Sequence, residues 1–267
     1  MAGDRRIGVI VVAAGSGERL GSPHAKALVE LAGQPLVRHA VLGLREAGLP
    51  PAVVVHPPEG RGAFAAALAG LEVAGFAPGG ATRTASVAAG LAALPDEVAV
   101  VVVHDAARPL TPPSVIAAVV AAVAAPPGRT PVLAAAPGVP VADTLKRTEG
   151  QEVVATVDRT DLVGVQTPQV FPREVLAAAL ALGDAATDEL TLVERLRDAG
   201  ELLGRVVVVP GSVWARKVTY PGDLVLLEVL AAHAPDATLD SSGTAAPPAA
   251  PEADPGPSRP AGEEVPR

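Results

Sequence analysis

Cysteine is absent from the 267 residues. That excludes disulfide staples, thiol nucleophiles and Cys-ligated zinc. Aromatic side chains are nearly as scarce, with three Phe, one Trp and one Tyr. Because 49% of the residues are nevertheless apolar, a sizeable core is available, but Ala, Val and Leu must build it. The five histidines are scattered without any His-x3-His spacing, which argues against a His-rich metal site. No apolar run approaches the ~18 residues that a bilayer span requires. The apolar stretch near the amino terminus is interrupted early by Gly15 and Glu18, so a signal-peptide h-region is not expected. An excess of positive charge is lacking too: 21 Lys and Arg against 29 Asp and Glu give a net charge of −8, which argues against general nucleic-acid binding. The expected setting is cytoplasmic, with neither a nucleic-acid nor a membrane partner.

What is present is a layered pattern. Strand-like apolar runs fall at 7–13, 52–56, 98–104, 131–136 and 205–209, and helical patterns alternate with them at 35–47, 59–71, 84–93, 112–124, 172–182, 187–199 and 221–231. Such alternation is the signature of an α/β domain with a mostly parallel sheet. It breaks down between Pro137 and Gln166, where 143–147 and 153–159 flank a turn-like Glu149-Gly150 and read as a two-stranded arm. A lone hairpin is marginal in water, so the arm is expected to pack on something. From Asp236 to Arg267 the composition shifts to seven prolines, six acids and two basic residues. A segment of that kind buries too little apolar surface to offset its ordering entropy and is expected to be a disordered tail, leaving a domain over 1–235.

The run Val12-Ala13-Ala14-Gly15-Ser16-Gly17-Glu18-Arg19-Leu20, with Lys26 following, leaves the first strand through small residues and two glycines. Backbone N–H groups in such a loop can approach a polyphosphate closely, and Arg19 and Lys26 add two cations. It is not a Walker loop, because no Gly-Lys-Ser/Thr follows. Nor is it a dinucleotide fingerprint, because Leu20 stands where the third glycine belongs. A surface turn with solvated cations is the plain alternative. His104-Asp105-Ala106-Ala107-Arg108-Pro109 ends another strand and puts a carboxylate at its carboxyl end, where ligand sites of open α/β sheets gather. An Asp there can be a mere cap or turn former. Facing a glycine-rich loop with two cations it is a candidate Mg²⁺ ligand, since Mg²⁺ favours one or two carboxylates plus phosphates.

Further segments follow in order: Gly79-Gly80 with Arg83 and Ser86, Asp143-Thr144-Leu145-Lys146, Val157-Asp158-Arg159, Thr167-Pro168-Gln169, Thr187-Asp188-Glu189 and Lys217-Val218-Thr219. As an ordered set over roughly residues 5 to 232, these segments resemble the sugar-phosphate nucleotidyltransferases, and within them the 2-C-methyl-D-erythritol 4-phosphate cytidylyltransferase family. The resemblance implies a Rossmann-like, mostly parallel sheet flanked by helices, of the nucleotide-diphospho-sugar transferase type, with a protruding β-arm. It also implies transfer of CMP from CTP to methylerythritol 4-phosphate, with Mg²⁺ on Asp105. Arg19 and Lys26 would stabilise the transition state and the leaving pyrophosphate, while Arg159 and Lys217 would hold the acceptor phosphate. Ala13, Ala14, Gly15, Gly17, Gly80, Arg83, Ser86, Asp105 and Ala106 would surround the nucleotide. Arg108, Thr144, Thr167 and Thr187 would join Arg159 and Lys217 at the acceptor. In the family the arm crosses to a second subunit, so Thr144 and Arg159 would serve a neighbour in a homodimer. On sequence alone, an arm folded back on its own domain is equally acceptable.

Three positions depart from the family pattern. Ala25 stands where some members have a proline before the lysine, Ala81 stands where some have an Asp near the base, and 211–216 carries no acid upstream of Lys217. Two other functions fit parts of the pattern: a ribitol 5-phosphate cytidylyltransferase, and a non-catalytic nucleotide-binding protein. The retained Arg19, Lys26 and Lys217 speak against the second.

Overall fold

The computed structural model describes residues 6–21, 25–124, 130–183 and 186–233. The first five residues and the tail expected from Asp236 onward lie outside them. In chain order the first half runs β1 (Ile7–Val12), β2 (Glu30–Leu31), β3 (Gln34–Pro35), α1 (Leu36–Glu46), β4 (Ala52–His56), α2 (Arg61–Ala67), β5 (Gly75–Pro78), α3 (Arg83–Ala92), β6 (Val100–Asp105) and α4 (Pro113–Ala124). The second half runs β7 (Val132–Pro140), β8 (Leu145–Glu149), β9 (Glu152–Val157), β10 (Val163–Val165), β11 (Gln169–Pro172), α5 (Arg173–Ala181), α6 (Glu189–Asp198), β12 (Arg205–Pro210) and α7 (Pro221–His233).

The strands explain why their sequences read as unbroken apolar runs rather than alternating ones. Ile10 of β1, Val53 and Val55 of β4, and Val101 and Val103 of β6 face one buried cluster. Val9 and Val11, Ala52 and Val54, and Val100 and Val102 face another on the opposite side. A sheet covered on both faces has no polar side to show. Residues of α3, α5 and α6 fill the first layer, and residues of α1, α2 and α4 fill the second. A third, smaller cluster of Leu31, Leu36, Val218 and Leu227 ties α7 to the edge of the domain. Scarcity of aromatics has the consequence expected of it: Phe64 and Phe171 are the fully buried aromatic rings among the described residues, and branched aliphatics do the rest.

The sheet order is β10-β7-β11-β6-β1-β4-β5, with β12 also paired to β7. β6, β1, β4 and β5 run parallel, as do β12 and β7. β11 lies antiparallel between β6 and β7, and β10 pairs antiparallel with β7, so the sheet is mixed on that side while remaining mostly parallel. Neither β5 nor β11 was expected from the sequence. Each is four residues long and carries a proline, which lowers strand propensity in any local reading. α2 stops at Ala67, short of the expected Leu71, where the chain turns at Gly70 with φ of +79°.

The arm is shorter than the sequence suggested. β7 continues in the main sheet to Pro140 and β10 rejoins it at Val163, so only 141–162 project. β8 and β9 pair with each other in a separate two-stranded sheet. Of the two placements the sequence leaves open, packing of this hairpin on its own domain is not found among the described residues. Both strands are exposed on both faces, and Val153 and Val154 are 56% and 44% accessible.

Candidate active site

Strand register brings the chemistry together. Val12 at the end of β1 lies opposite Asp105 at the end of β6, and His56 at the end of β4 lies opposite Pro78 of β5. Three loops therefore leave the carboxyl ends of neighbouring parallel strands side by side, the arrangement in which open sheets bind ligands. Between them lies a cleft of about 620 Å³. Ala13, Ala14, Gly15, Gly17, Arg19 and Lys26 form one wall of this cleft. Gly80, Arg83 and Ser86 line the other, and Asp105, Ala106 and Lys217 the remainder.

The first loop is shaped around Lys26. Its N–H donates to Gly15 O at 3.3 Å, and Gly17, at φ of +80°, lies where an added Cβ would sit 3.0 Å from Lys26 Cβ. Only glycine meets both demands comfortably. Gly17→Ala is therefore expected to lower turnover about tenfold by displacing Lys26, while the melting temperature falls by a few degrees at most, since the loop is exposed. Steady-state kinetics and thermal unfolding of the same preparation check this.

On the opposite wall, an added Cβ at Gly79 would lie 2.5 Å from Ala14 Cβ and 2.9 Å from Ser86 Oγ. The glycine lets the two loops approach each other. Ser86 Oγ accepts from Gly80 N–H at 3.2 Å and donates to Thr82 O at 3.0 Å. Its hydroxyl thus shapes the Gly80 loop. Thr82 caps α3, its Oγ1 accepting from Ala85 N–H at 3.0 Å.

Asp105 is the hub. Arg83 donates through Nε and Nη2 to Oδ1 at 3.2 and 3.0 Å, and Lys217 Nζ donates to Oδ2 at 2.6 Å. Burial would raise this carboxyl, but Arg83 and Lys217 outweigh it and hold Asp105 well below the usual carboxylate range. Behind Arg83, its Nη1 pairs with Glu189, whose side chain is fully buried. Sequence reasoning assigned Glu189 no role. Below Asp105, Thr167 Oγ1 accepts from the Asp105 N–H at 3.1 Å and lies 3.0 Å from His104 Nδ1. Burial lowers His104 to about 4, so its ring is neutral at pH 7 and adds no cation.

A second, smaller hollow of about 190 Å³ adjoins the cleft. It contains Arg108, Thr167 and Thr187, and shares Arg83, Asp105 and Lys217 with the cleft. Arg108 is turned toward backbone, its Nη1 donating to Ala215 O at 2.7 Å and Nη2 to Val165 O at 3.4 Å. Thr144 and Arg159 are the two sequence candidates that reach neither cavity. Arg159 lies at the base of the arm, exposed, with Nη1 donating to Val141 O at 3.4 Å.

Among the described residues no group of three His, Cys, Asp or Glu side chains could hold a metal ion. The donor set instead suits an ion carried in by phosphates. Asp105 lines the cleft, and its Oδ2, which accepts one hydrogen bond from Lys217, has lone-pair capacity for the one protein ligand that Mg²⁺ needs beside a polyphosphate.

Known proteins match this chain along nearly all its described length. The family model described as 2-C-methyl-D-erythritol 4-phosphate cytidylyltransferase (IspD) matches residues 7–232. A bifunctional IspD/IspF enzyme of Clavibacter michiganensis subsp. michiganensis is 47% identical over 240 residues, covering 85% of this chain, which spans 55% of that enzyme's length. A 2-C-methyl-D-erythritol 4-phosphate cytidylyltransferase of Frankia casuarinae is 45% identical over 230 residues, covering 85% of this chain and 82% of the relative. The crystal structure of the cytidylyltransferase of that name from Thermus thermophilus superposes with a TM-score of 0.67 at 33% identity, covering 85% of this chain and 99% of the other. With a family model matched over residues 7–232 and a relative 45% identical along most of both chains, the chain belongs to the 2-C-methyl-D-erythritol 4-phosphate cytidylyltransferase family.

Proposed function

We propose that this protein transfers CMP from CTP to 2-C-methyl-D-erythritol 4-phosphate, releasing pyrophosphate and forming 4-diphosphocytidyl-2-C-methyl-D-erythritol for isoprenoid precursor synthesis by the non-mevalonate route. The observation that carries this reading is the junction of the two cavities. Arg83, Asp105 and Lys217 belong to both, so a nucleotide in the large cleft and a small phosphate ester in the hollow would meet at one cluster of charge.

The acceptor phosphate has its second pKa near 6 and is largely dianionic at pH 7. One of its oxygens forms a bond to the α-phosphorus of CTP while the bond to the β-bridging oxygen breaks and pyrophosphate departs. No proton needs to be removed, so no general base is required. Catalysis then rests on alignment and charge neutralisation. Lys217, 38% exposed beside Asp105, would hold the incoming phosphate from the hollow side. Arg19 and Lys26, on the first loop, would take up charge on the departing pyrophosphate. Asp105 would hold Mg²⁺, which when bound supplies Lewis-acid neutralisation of phosphate charge. Backbone groups of Ala13, Ala14 and Gly80 would separate cytosine from uracil, with Ser86 fixing Gly80.

The same reading extends to assembly. Every site candidate except Thr144 and Arg159 converges within one chain, and those two belong to an exposed hairpin bearing valines. A homodimer in which each arm completes the other subunit's hollow accounts for both facts. The setting is proposed to be the cytoplasm; no described helix is long and apolar enough to cross a membrane.

The experiment is pyrophosphate release from CTP and Mg²⁺ with two acceptors. Methylerythritol 4-phosphate is expected to turn over at least about a hundredfold better, by kcat/KM, than ribitol 5-phosphate, since a site built for one polyol leaves polar groups unpaired with the other. A preference for ribitol 5-phosphate would overturn the assignment of the acceptor.

A further inference from the structure

The segment that carries Lys217 is tied down on both sides. Upstream, Gln166 Nε2 donates to Ser212 O at 2.8 Å, Ser212 N–H donates back to Gln166 Oε1 at 3.1 Å, and Arg108 grips Ala215 O. One residue beyond the lysine, Val218 is fully buried beside Leu31, Leu36 and Leu227, and its N–H donates to Ala107 O at 2.8 Å. Downstream, one carboxylate gathers the rest. Asp223 Oδ1 accepts from Arg216 Nε at 2.8 Å, and Oδ2 accepts from the N–H groups of Thr219 and Tyr220, both at 2.9 Å.

Asp223 sits in the first turn of α7, 8% exposed. An acid three residues into a helix ordinarily reaches back to one N–H at the cap. Here that is Tyr220, and a cap would be satisfied by it alone. The bonds to Arg216 and Thr219 lie outside the helix and close around Lys217 from before and after. We propose that Asp223 is a positioning residue that fixes Lys217 by binding the backbone or side chains on both of its flanks. This rests on the role given to Lys217 in cytidylyl transfer and adds the group that makes that role reproducible. A lysine has a long stem with many rotamers. Its ammonium can hold a station 2.6 Å from Asp105 Oδ2 only if its Cα is held first. Burial would raise the Asp223 carboxyl, but the amide of Tyr220, the Arg216 guanidinium and the amide of Thr219 keep it below its ordinary value.

The test compares Asp223→Ala and Asp223→Glu in the wild-type background and in Lys217→Ala, measuring kcat, both KM values and melting temperature. Misplacing a catalytic group by about an ångström costs up to ~100-fold, and partial loosening is expected to cost about tenfold in kcat for Asp223→Ala, with the KM for CTP changed less than about threefold. Asp223→Glu keeps the helix cap and so should restore the melting temperature while leaving kcat reduced. In Lys217→Ala, neither change at Asp223 should lower kcat further, because the effect travels through the missing lysine. An equal loss in both backgrounds would overturn the inference, as would a fall in melting temperature with kcat untouched. If Asp223→Ala does not fold, Asp223→Glu in the two backgrounds gives the same comparison. Full activity of Lys217→Ala by itself is a different outcome: it would remove the role of Lys217, and this inference with it.

Discussion

Lys26→Ala is expected to lower kcat about a hundredfold while the KM for methylerythritol 4-phosphate changes little. The contact proposed for Lys26 is with charge that grows on pyrophosphate as the bond to the α-phosphorus breaks. Contacts made only in the transition state appear in kcat. Removing one such contact typically costs ~3 kcal/mol. The structure adds a second signature. Burial, with Lys217 and Arg19 nearby, lowers Lys26 to about 8, although Asp105 and, more weakly, Asp223 oppose this. The ammonium is therefore losing its proton in the free protein just above physiological pH. CTP, with its polyphosphate, binds the charged form better, so kcat/KM for CTP, once the acceptor phosphate is dianionic above its second pKa near 6, should hold to about pH 7 and fall as pH rises through about 8. In the same range CTP binding should take up protons, visible by calorimetry in buffers of different ionisation heat. Both effects should vanish in Lys26→Ala. Normal turnover of that variant at saturating CTP would show that the first loop does not act on the leaving group.

What was legible in the sequence was what depends on neighbours in the chain. The Gly15–Gly17 loop, the strand-end Asp105 and the helix bounded by Pro35 and Gly48 are local signals, and the structure places each where its local pattern implied. What was hidden depends on partners distant in sequence. Glu189 reads as an ordinary acid at a helix start, where a negative charge suits the helix dipole. Its place beneath Arg83, 106 residues away, comes from α6 packing on the same sheet face as α3. Asp223 likewise reads as a helix-start acid, and only the path of the chain around Val218 shows what else it holds. The residues just upstream of Lys217, 211–216, include no acid; the acid lies downstream, and in the free protein it holds the flanks of the lysine rather than its ammonium. β11 was missed for a similar reason. Its four residues owe their strand conformation to β6 and β7 on either side, not to a period of their own.

Mixing inactive variants is expected to restore activity, and this tests the proposed dimer most severely. In that dimer, Lys26 and Arg159 of one site belong to different chains. Lys26→Ala and Arg159→Ala homodimers would each be nearly inactive, since every site lacks one cation. In a heterodimer, one site combines the Lys26→Ala cleft with the Arg159→Ala arm and lacks both. The other combines an intact cleft with an intact arm and lacks neither. Random pairing in a closed two-fold dimer makes about half of the molecules heterodimers, each with one sound site of two. Equal mixing after dissociation and reassociation should therefore recover about a quarter of the wild-type activity per site. The geometry within one chain makes the contrast sharp. Lys26 lines the cleft, while Arg159 lies at the foot of an exposed hairpin, lining neither cavity. Were Arg159 to fold back onto its own cleft, both kinds of site in the heterodimer would remain damaged, and mixing would recover nothing. Subunit exchange confirmed by a mass-tagged partner, with no return of activity, would show that each chain completes its own site.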